Sequence, residues 1–420
     1  MEILSTGEKI KRARIYRGYT LKDLCGNKIS VSKMSCIEND KVKPEEWILK
    51  FIANRLEVDI GYLKQDIKDQ IIKNIDNIVK CDNKKDYEEI LKYNFKFARD
   101  GGYSNICFEV LHLLFNCYLD RKELEKAQHV IRNYYGYLQK CFSHERAVTY
   151  YIDIARYFFT SKEYLHAINY YNNAIDITLK INNNELLVKA LYNQSMCYFV
   201  MENYEKSYEL ADKIVSLLHF VEEDIKKAKI YHLLALISLK MNIGKFKEYE
   251  KKVDVFFGED IRNKAKAIFE YASVMFILNM KDIAIDYLNK AIDIYPKDDI
   301  REMVRFMLMT VNILIKNEVL DKARHICDIA LNYTINLNDM EYIERAYYYK
   351  AVILVKQGDF ELGEMYMNLS LDTLFKFATN IKIYKRYIKM GQMYYKMGNV
   401  SESIKYFDFA VKLDQKYGFS

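Results

Sequence analysis

Cysteine and histidine, the side chains that most often bind metals or act as nucleophiles and bases, are scattered along this sequence. The eight cysteines form no CxxC pair and no Cys/His cluster with the spacing of a zinc site. Most fall within apolar stripes, where a free cysteine behaves as a small hydrophobic residue. We therefore expect reduced thiols and no bound metal at Cys25, Cys36, Cys81, Cys107, Cys117, Cys141, Cys197 and Cys327.

Catalytic motifs are also missing from the sequence. It contains no GxGxxG or GxxxxGK[ST] loop for phosphate binding, no GxSxG turn and no HExxH. The seven histidines stand apart from one another, and a lone histidine on a helix is more often structural than a ligand. We therefore expect a protein that is not an enzyme and that uses no cofactor.

The hydropathy pattern predicts where the protein works. The opening residues lack the apolar segment of a secretory signal, and no apolar run is long enough to cross a membrane. Together with the unpaired cysteines, this pattern predicts a cytoplasmic protein that has no membrane partner.

Positive charge is concentrated in the first 64 residues. They hold 13 Lys/Arg and 9 Asp/Glu, a surplus of four within a net charge of +6 for the whole chain. A basic segment favours a nucleic-acid partner, but a surplus of this size needs the support of a binding motif.

The same 64 residues carry the start and stop signals of several short helices. Thr6 is the predicted N-cap of a first helix over 9–17, and Gly18 ends that helix in a left-handed conformation. Thr20 is the predicted cap of a second helix, and Ser30 is the predicted cap of a third over 31–39.

Apolar residues with helical spacing predict how these helices pack. Met34 and Ile37 turn one face of the third helix inward. Pro44 opens a fourth helix, whose predicted apolar stripe consists of Trp47, Ile48, Phe51, Ile52 and Leu56. A final turn follows at VDIGYL. Five short helices, with the second and third joined by a tight turn, define a helix-turn-helix domain over residues 1–64.

The segment TLKDLCGNKISVSKMSCIENDKVKP resembles the signature of the Xre/Cro-type DNA-binding domains. The matching features are Ser30, Ser35, the IEN unit that ends at Asn39, and the basic residues that follow it. The resemblance implies a structural pair between Arg14 of the first helix and Glu38 of the third. One departure is Leu21, which stands where the family often has a glutamine that donates to phosphate.

The resemblance also implies which residues contact DNA. Side chains facing base edges would be Val31, Ser32, Lys33 and Cys36. Side chains facing phosphates would be Asn39, Lys41 and Lys43. One such domain makes few contacts, so the resemblance implies a homodimer on a double-stranded DNA operator with two half-sites. The alternative is a small helical bundle whose charges form a solvated face.

From Phe108 onward the sequence repeats itself. Small residues recur twelve apart in pairs about every 37–40 residues, and a third small residue often follows seven positions later. Small residues at these positions let two antiparallel helices approach closely, which is the basis of the tetratricopeptide pattern. The paired positions are Ala155/Ala167, Ser195/Ser207, Ala272/Ala284, Val311/Ala323, Ala351/Gly363 and Gly391/Ser403.

These patterns predict an all-α chain with three parts. Residues 1–64 form the helix-turn-helix domain, residues 65–107 form a helical connection, and residues 108–420 form a right-handed tetratricopeptide-repeat superhelix of about eight helix pairs. In such repeats the first helix of each pair lines a concave surface, where amides would clamp a peptide backbone and Arg or Lys its carboxylate. The residues expected there are Asn116, Arg156, Tyr192, His232, Phe269, Ser273, Asn312, Lys316, Arg345, Tyr348 and Gln392.

An Xre-type domain followed by tetratricopeptide repeats resembles the RRNPP regulators of Gram-positive bacteria, and within them the RstA-type regulators of sporulation and toxin production. The resemblance implies a homodimeric transcriptional regulator, which we expect to be a repressor. It also implies a short signalling peptide of the quorum-sensing type, bound in the repeat groove, that alters DNA binding by its differential affinity for two shapes.

Two other functions fit the same sequence. The repeats could sequester a response regulator or phosphotransfer protein, with DNA binding secondary, as related family members do. Alternatively, the chain could be a constitutive repressor whose repeats serve only dimerisation.

Overall fold

The structure is a computed structural model that describes residues 2–80 and 86–419. Within these ranges it contains helices and no strands, which confirms the predicted all-α class. The chain divides into two compact units, Met1–Phe220 and Val221–Ser420, and each is described separately. The seven cysteines inside the described ranges are free thiols, and Cys81 lies outside those ranges.

Unit 1 begins with the five short helices that the sequence predicts. Their bounds are α1 Thr6–Tyr16, α2 Leu21–Cys25, α3 Val31–Glu38, α4 Glu46–Leu56 and α5 Ile60–Lys64. Twelve buried residues between Ile10 and Leu63 form one hydrophobic core that belongs to these helices alone. Met34 and Ile37 lie in this core, as expected.

The cap of α1 differs from the prediction. Ser5, not Thr6, is the N-cap: its hydroxyl accepts from the backbone N–H of Glu8, and the Glu8 carboxylate accepts from the N–H of Ser5. This reciprocal pair satisfies two backbone donors that would otherwise be unpaired. The predicted caps of α2 and α3, Thr20 and Ser30, are confirmed, and so is the left-handed Gly18 at φ 72°.

The rest of unit 1 consists of helix pairs. The bounds are α6 Ile67–Val79, α7 Tyr87–Asp100, α8 Ser104–Asp120, α9 Leu124–Lys140, α10 His144–Thr160, α11 Tyr164–Lys180, α12 Asn184–Val200 and α13 Tyr204–Leu217, followed by a short 3₁₀ turn at Leu218–Phe220. Ile71 of α6 and Leu91 of α7 share one core with α8, so the predicted connection over 65–107 packs as a further helix pair.

The segment before α1 joins the five-helix domain to the α6/α7 pair. Ile3 is 2% exposed and belongs to the core that contains Ile71. The Leu4 backbone N–H donates to Gln70 Oε1 at 3.1 Å, and Gln70 Nε2 donates to the Leu4 carbonyl at 2.8 Å. The Ile3 N–H donates to the Tyr93 hydroxyl at 3.0 Å. The two parts are therefore held together by core packing and by buried hydrogen bonds.

Unit 2 contains five helix pairs. The bounds are α14 Asp224–Met241, α15 Phe246–Phe257, α16 Ile261–Ile277, α17 Lys281–Ile294, α18 Ile300–Lys316, α19 Leu320–Leu337, α20 Met340–Gln357, α21 Phe360–Phe375, α22 Asn380–Lys396 and α23 Val400–Tyr417. With α8–α13 of unit 1, the described residues after 103 form eight pairs, which is the predicted number.

The predicted small residues lie at the crossing points of the helix pairs, and all of them are buried. A Cβ added at Gly363 would lie 2.6 Å from Val355 Cγ2, and one at Gly391 would lie 2.8 Å from Phe407 Cε1. Between α12 and α13, the hydroxyls of Ser195 and Ser207 each donate to the other's carbonyl at 2.8 Å. Small side chains are therefore needed because the backbones approach closely.

A recurrent turn sets the repeat length. In each of the eight pairs, a residue with positive φ follows the end of the first helix, and these residues stand 37 to 40 positions apart; the α14/α15 turn contains a second one, Gly244. The next N–H donates back to a carbonyl five residues earlier at 2.8 to 3.1 Å, as in a Schellman ending. The residues concerned are Lys122, Lys162, Glu202, Asn242, Asn279, Glu318, Gly358 and Gly398.

Candidate functional site

The α2–α3 turn positions the first candidate surface. Ser30 Oγ accepts from the Lys33 backbone N–H at 3.2 Å and so fixes the start of α3. Met34 and Ile37 anchor the inner face of α3 in the core beside Leu24. Leu21, the departure from the family pattern, is half-buried and packs against the same core. The opposite face of α3 is consequently turned away from the protein.

A buried ion pair ties α3 to α1. Arg14 Nε and Nη2 donate to the two carboxylate oxygens of Glu38 at 2.6 and 2.9 Å. Glu38 is 5% exposed, and Arg14 also donates to the Tyr19 carbonyl at 2.8 Å. The hydrogen bond to Glu38 raises the pKa of the Arg14 guanidinium. The predicted pair is present, and its geometry is that of a structural tie.

The outward face of α3 carries the residues predicted to contact bases. Val31 and Ser32 are exposed, and Lys33 and Cys36 are half-buried. The residues predicted to contact phosphates, Asn39, Lys41 and Lys43, follow in the exposed turn after α3. Neither Lys41 nor Lys43 forms an ion pair with any residue in 2–80 or 86–419. All seven residues thus lie on one helix face and its exit.

Two residues that the sequence did not assign to the DNA-facing surface, Glu45 and Trp47, hold Lys33 in place. The Lys33 ammonium donates to Glu45 Oε1 at 2.9 Å, and the Trp47 indole N–H donates to Glu45 Oε2 at 2.7 Å. These bonds hold the pKa of the Glu45 carboxyl below its ordinary value. Trp47 was expected in the core stripe of α4, but it is 47% exposed, so that expectation is wrong.

In unit 1, Asn116 and Arg156 belong to a network of polar side chains. Asn116 Nδ2 donates to the His112 carbonyl at 2.8 Å and to Asp153 Oδ1 at 3.2 Å. Arg156 donates to Asn116 Oδ1, and the Tyr134 hydroxyl donates to Asp153 at 2.9 Å. Both ends of the Asn116 amide are thus occupied, which leaves Arg156 as the more available group.

Other predicted groove residues differ in their exposure. Tyr192 on α12 is half-buried. In unit 2, His232 on α14 lies 3.0 Å from the Tyr271 hydroxyl and 2.8 Å from Glu270 Oε2. Phe269 was expected on an open face, but it is 8% exposed and packs against Phe306 in the core, because its position on α16 faces α18.

Three further predicted residues lie on α16 and α18. The Ser273 hydroxyl donates a hydrogen bond to the Phe269 carbonyl at 2.8 Å. Asn312 is half-buried and Lys316 is exposed one turn later on the same helix. In the part of the chain that the structure describes, neither Asn312 nor Lys316 makes a side-chain hydrogen bond. The Asn312 amide therefore has unused donors and an unused acceptor among the described residues.

Three predicted residues, Arg345 and Tyr348 on α20 and Gln392 on α22, line cavities in unit 2: Arg345 lines one, Gln392 lines another, and Tyr348 lines both. The two adjoining cavities have volumes of about 540 and 180 Å³ and share Tyr348 and Lys389. We call this pair of cavities the basic groove. Its other lining residues are Glu341, Glu344, Val352, Val355, Lys356, Met367, Leu374, Phe377, Lys382, Tyr384, Lys385, Arg386, Ile388, Met393 and Lys396.

Arg386 forms the floor of the basic groove and was not foreseen from the sequence. Its guanidinium lies 3.9 Å from the ring centroid of Tyr348 and 2.5 Å from Glu344 Oε1. Ser370 accepts from Arg386 and donates to Glu344 at 2.8 Å. Burial lowers the pKa of Arg386 and raises that of Tyr348. The stacking of Arg386 on Tyr348 is a cation–π contact, which together with the bonds to Glu344 and Ser370 fixes the guanidinium in place.

Neither a metal site nor a membrane-spanning helix is present in the described ranges. In residues 2–80 and 86–419, no three His, Cys, Asp or Glu side chains come together as a metal site. No helix in the same ranges has the length and apolar character needed to cross a bilayer.

Among known proteins, one repeat family and several solved structures match this chain. The model of the tetratricopeptide repeat matches residues 384–417, which contain most of α22 and α23. No curated protein sequence matches the chain.

Among solved structures, PlcR of Bacillus thuringiensis in complex with the peptide PapR7 and DNA matches at 18% identity and a TM-score of 0.36, over 60% of this chain and 94% of that chain. The apo form of the quorum sensor NprR from B. thuringiensis matches at 12% identity and a TM-score of 0.43, over 83% of this chain and 99% of that chain. The apo form of the competence regulator ComR from Streptococcus vestibularis matches at 18% identity and a TM-score of 0.31, over 64% of this chain and 97% of that chain.

Proposed function

We propose that the chain is a cytoplasmic DNA-binding transcriptional repressor of the RRNPP kind, whose repeats sense a short signalling peptide. The observation that carries the proposal is the outward face of α3. Val31, Ser32 and Lys33 stand on a helix whose inner face is anchored in a separate core and whose end is tied by Glu38 to Arg14. This is the arrangement in which a second helix of a helix-turn-helix enters the major groove.

Each exposed residue has a defined role in this proposal. The Val31 side chain would contact a thymine methyl, and Lys33 would donate to guanine or to a phosphate after leaving Glu45. Lys41 and Lys43 would neutralise phosphates, because no carboxylate in the described ranges pairs with them. A homodimer would present two copies of α3 to an operator with two half-sites.

The sensing role rests on unit 2, where the Asn312 amide and the basic groove are open. A short peptide would be clamped by the amide and would place side chains between α20 and α22. Peptide binding would alter DNA affinity only to the extent that it favours one conformation of the protein over another. In keeping with the RstA-type resemblance, the regulated genes would be those of sporulation or toxin production.

The experiment compares DNA retention by two variants of the full-length chain. Purified protein selects fragments from the genomic DNA of its source organism, and bound fragments are sequenced. The variant Ser32→Ala/Lys33→Ala is expected to lose specific retention by at least about tenfold, because direct contacts to base edges disappear. Lys11→Ala removes an exposed lysine of α1 and serves as the control, with retention unchanged. Equal retention by the double variant would contradict the assignment of α3.

The double variant also separates this function from that of an adaptor that sequesters a response regulator or phosphotransfer protein. Deleting residues 1–64 would expose the core around Ile71, because Ile3 packs there. Ser32 and Lys33 are exposed or half-buried, so their substitution leaves that core intact. An adaptor would keep its full effect in the host cell with the double variant, whereas a repressor would lose it.

A further inference from the structure

The basic groove carries a strong local excess of positive charge. Seven basic and two acidic side chains line its two cavities, which leaves a surplus of five. The helix α22 supplies five of the seven and contains no acidic residue. For comparison, the net charge of the whole chain is +6. The excess is therefore a property of this groove and not of the surface in general.

The two carboxylates of the groove are already engaged by protein cations. Glu344 is 7% exposed and accepts from Arg386 and Ser370. Glu341 lies 3.6 Å from Arg345 Nη2 and 3.7 Å from Lys382 Nζ, so a single carboxylate faces two cations. The internal acids thus compensate only part of the positive charge.

Three lysines of α22 remain without an internal counter-ion. Lys385, Lys389 and Lys396 are exposed, and none of them pairs with a carboxylate in residues 2–80 or 86–419. Lys389 reaches only the Gln392 amide oxygen, at 3.4 Å. Lysines gathered on one wall of a cavity repel each other, and an incoming anion relieves that repulsion.

The walls of the groove restrict which anion fits. Tyr348 lines both cavities with Arg386 stacked on its ring, and Leu374, Phe377 and Ile388 add apolar surface to the larger one. A DNA duplex presents its phosphates on a convex surface and gains nothing from recessed aromatic and aliphatic side chains. A short peptide offers carboxylates and apolar side chains together. The groove therefore matches a peptide better than a nucleic acid.

We propose that the basic groove selects acidic peptides, with Lys385 and Lys389 binding an aspartate or glutamate side chain while a neighbouring apolar side chain rests on Tyr348. This inference rests on the proposed peptide-sensing function and specifies the chemical class of the peptide. Basic peptides are rejected because they would face unpaired lysines.

The test uses two pools of random heptapeptides and the full-length protein. In one pool the only charged residues are Asp and Glu, and in the other they are Lys and Arg; both have amidated C-termini, so that side chains carry the charge. Peptides retained by immobilised protein are quantified by mass spectrometry. We expect the acidic pool to exceed the basic pool by about tenfold, with the excess falling as salt is raised.

The variant Lys385→Gln/Lys389→Gln is expected to remove this excess. Lys281→Gln/Lys290→Gln replaces two exposed, unpaired lysines of α17 in the same unit, and it should leave the excess unchanged. Retention of both pools without a charge preference, or a preference that the groove variant does not alter, would overturn the inference while peptide sensing stands.

Three further outcomes also overturn the inference. If wild-type protein retains neither pool above an unrelated protein, peptide sensing itself fails together with the acidic preference. If the groove variant loses retention of duplex DNA and keeps the acidic excess, the lysines serve nucleic acid. The same two pools are also tested with free C-termini, and an excess that appears only in that arm would assign the groove to the terminal carboxylate and not to acidic side chains.

Discussion

Two arginine–glutamate pairs hold neighbouring helices together, Arg14–Glu38 in the five-helix domain and Arg386–Glu344 in unit 2. In both, the acid is nearly inaccessible and the guanidinium makes a second hydrogen bond, to Tyr19 in the first pair and to Ser370 in the second. They differ in what surrounds them. The first pair supports α3 from within the domain, whereas the second lines a cavity of about 540 Å³.

The difference indicates how one type of ion pair, arginine with glutamate, can have two different roles in the protein. A buried pair contributes little net stability compared with apolar residues, but removing one partner leaves a charge unpaired in a poorly solvated site. Arg14–Glu38 therefore fixes the orientation of α3. Arg386–Glu344 holds two helices together and at the same time lines the cavity that we propose takes a peptide.

The largest expected effect comes from Arg14→Met. This change leaves Glu38 buried without a partner and should destabilise the five-helix domain by about 3 kcal/mol. Trp47 is the only tryptophan in the chain, so its fluorescence in urea reports the unfolding of this domain. Arg17→Met is the control, because the Arg17–Glu57 pair is exposed and should contribute less than about 1 kcal/mol. Equal effects of the two changes would contradict the structural role of Arg14.

The next effect comes from Arg386→Met, which breaks the second pair. It should destabilise unit 2 by about 2 kcal/mol, and it should also abolish the preference for acidic peptides. Urea unfolding followed by helical circular dichroism measures the first effect, and retention of the peptide pools measures the second. Arg305→Met is the control, since Arg305 is exposed in its pair with Glu302 and does not line the basic groove. Loss of stability with full peptide selectivity would mean that the pair is structural only.

A smaller effect is expected from Asn312→Ala, which lies outside the basic groove. Its amide makes no hydrogen bond within the described residues, so truncation should not harm the fold. Peptide binding should weaken about fivefold through the loss of one backbone clamp. Isothermal titration calorimetry measures the affinity, and native mass spectrometry checks that any dimer persists. Unchanged affinity would remove Asn312 from the binding surface.

The smallest effect is expected from Glu45→Gln. The change frees Lys33 and removes a negative charge beside the DNA-facing surface, so affinity for non-specific duplex DNA should rise about threefold at low salt. Fluorescence anisotropy with a labelled random duplex measures the change. Glu57→Gln alters an acid that pairs with Arg17 instead and serves as the control. A decrease in affinity would show that Glu45 positions Lys33 for DNA rather than restraining it.

Much of the fold could be predicted because its signals are local. Thr20 and Ser30 each accept a hydrogen bond from the backbone N–H three residues further on. The small residues of each helix pair stand twelve positions apart in the sequence. Ser5 was missed as the cap of α1, although Ser5 and Glu8 have the spacing of a capping box. Arg14 and Glu38 are 24 residues apart, and their pairing could be predicted because both belong to the Xre/Cro-type motif.

The remaining features depend on contacts that leave no local signal. The basic groove is lined by α20 and α22, about forty residues apart; α22 supplies its surplus of positive charge, and α20 supplies both of its carboxylates. Helical spacing alone gave Trp47 and Phe269 the wrong environment, because the spacing does not specify which side of a helix is covered. The restraint of Lys33 by Glu45 depends on rotamers and on the angle between α3 and α4.

The measurement that most directly tests the whole account is the effect of peptide on DNA affinity. A labelled genomic fragment selected by the full-length protein is titrated with that protein, with and without saturating acidic heptapeptide pool. Linkage requires that a sensed peptide change the Kd for DNA, and we expect a change of at least about fivefold that disappears in Lys385→Gln/Lys389→Gln. A Kd for DNA that stays the same with bound peptide would contradict the account.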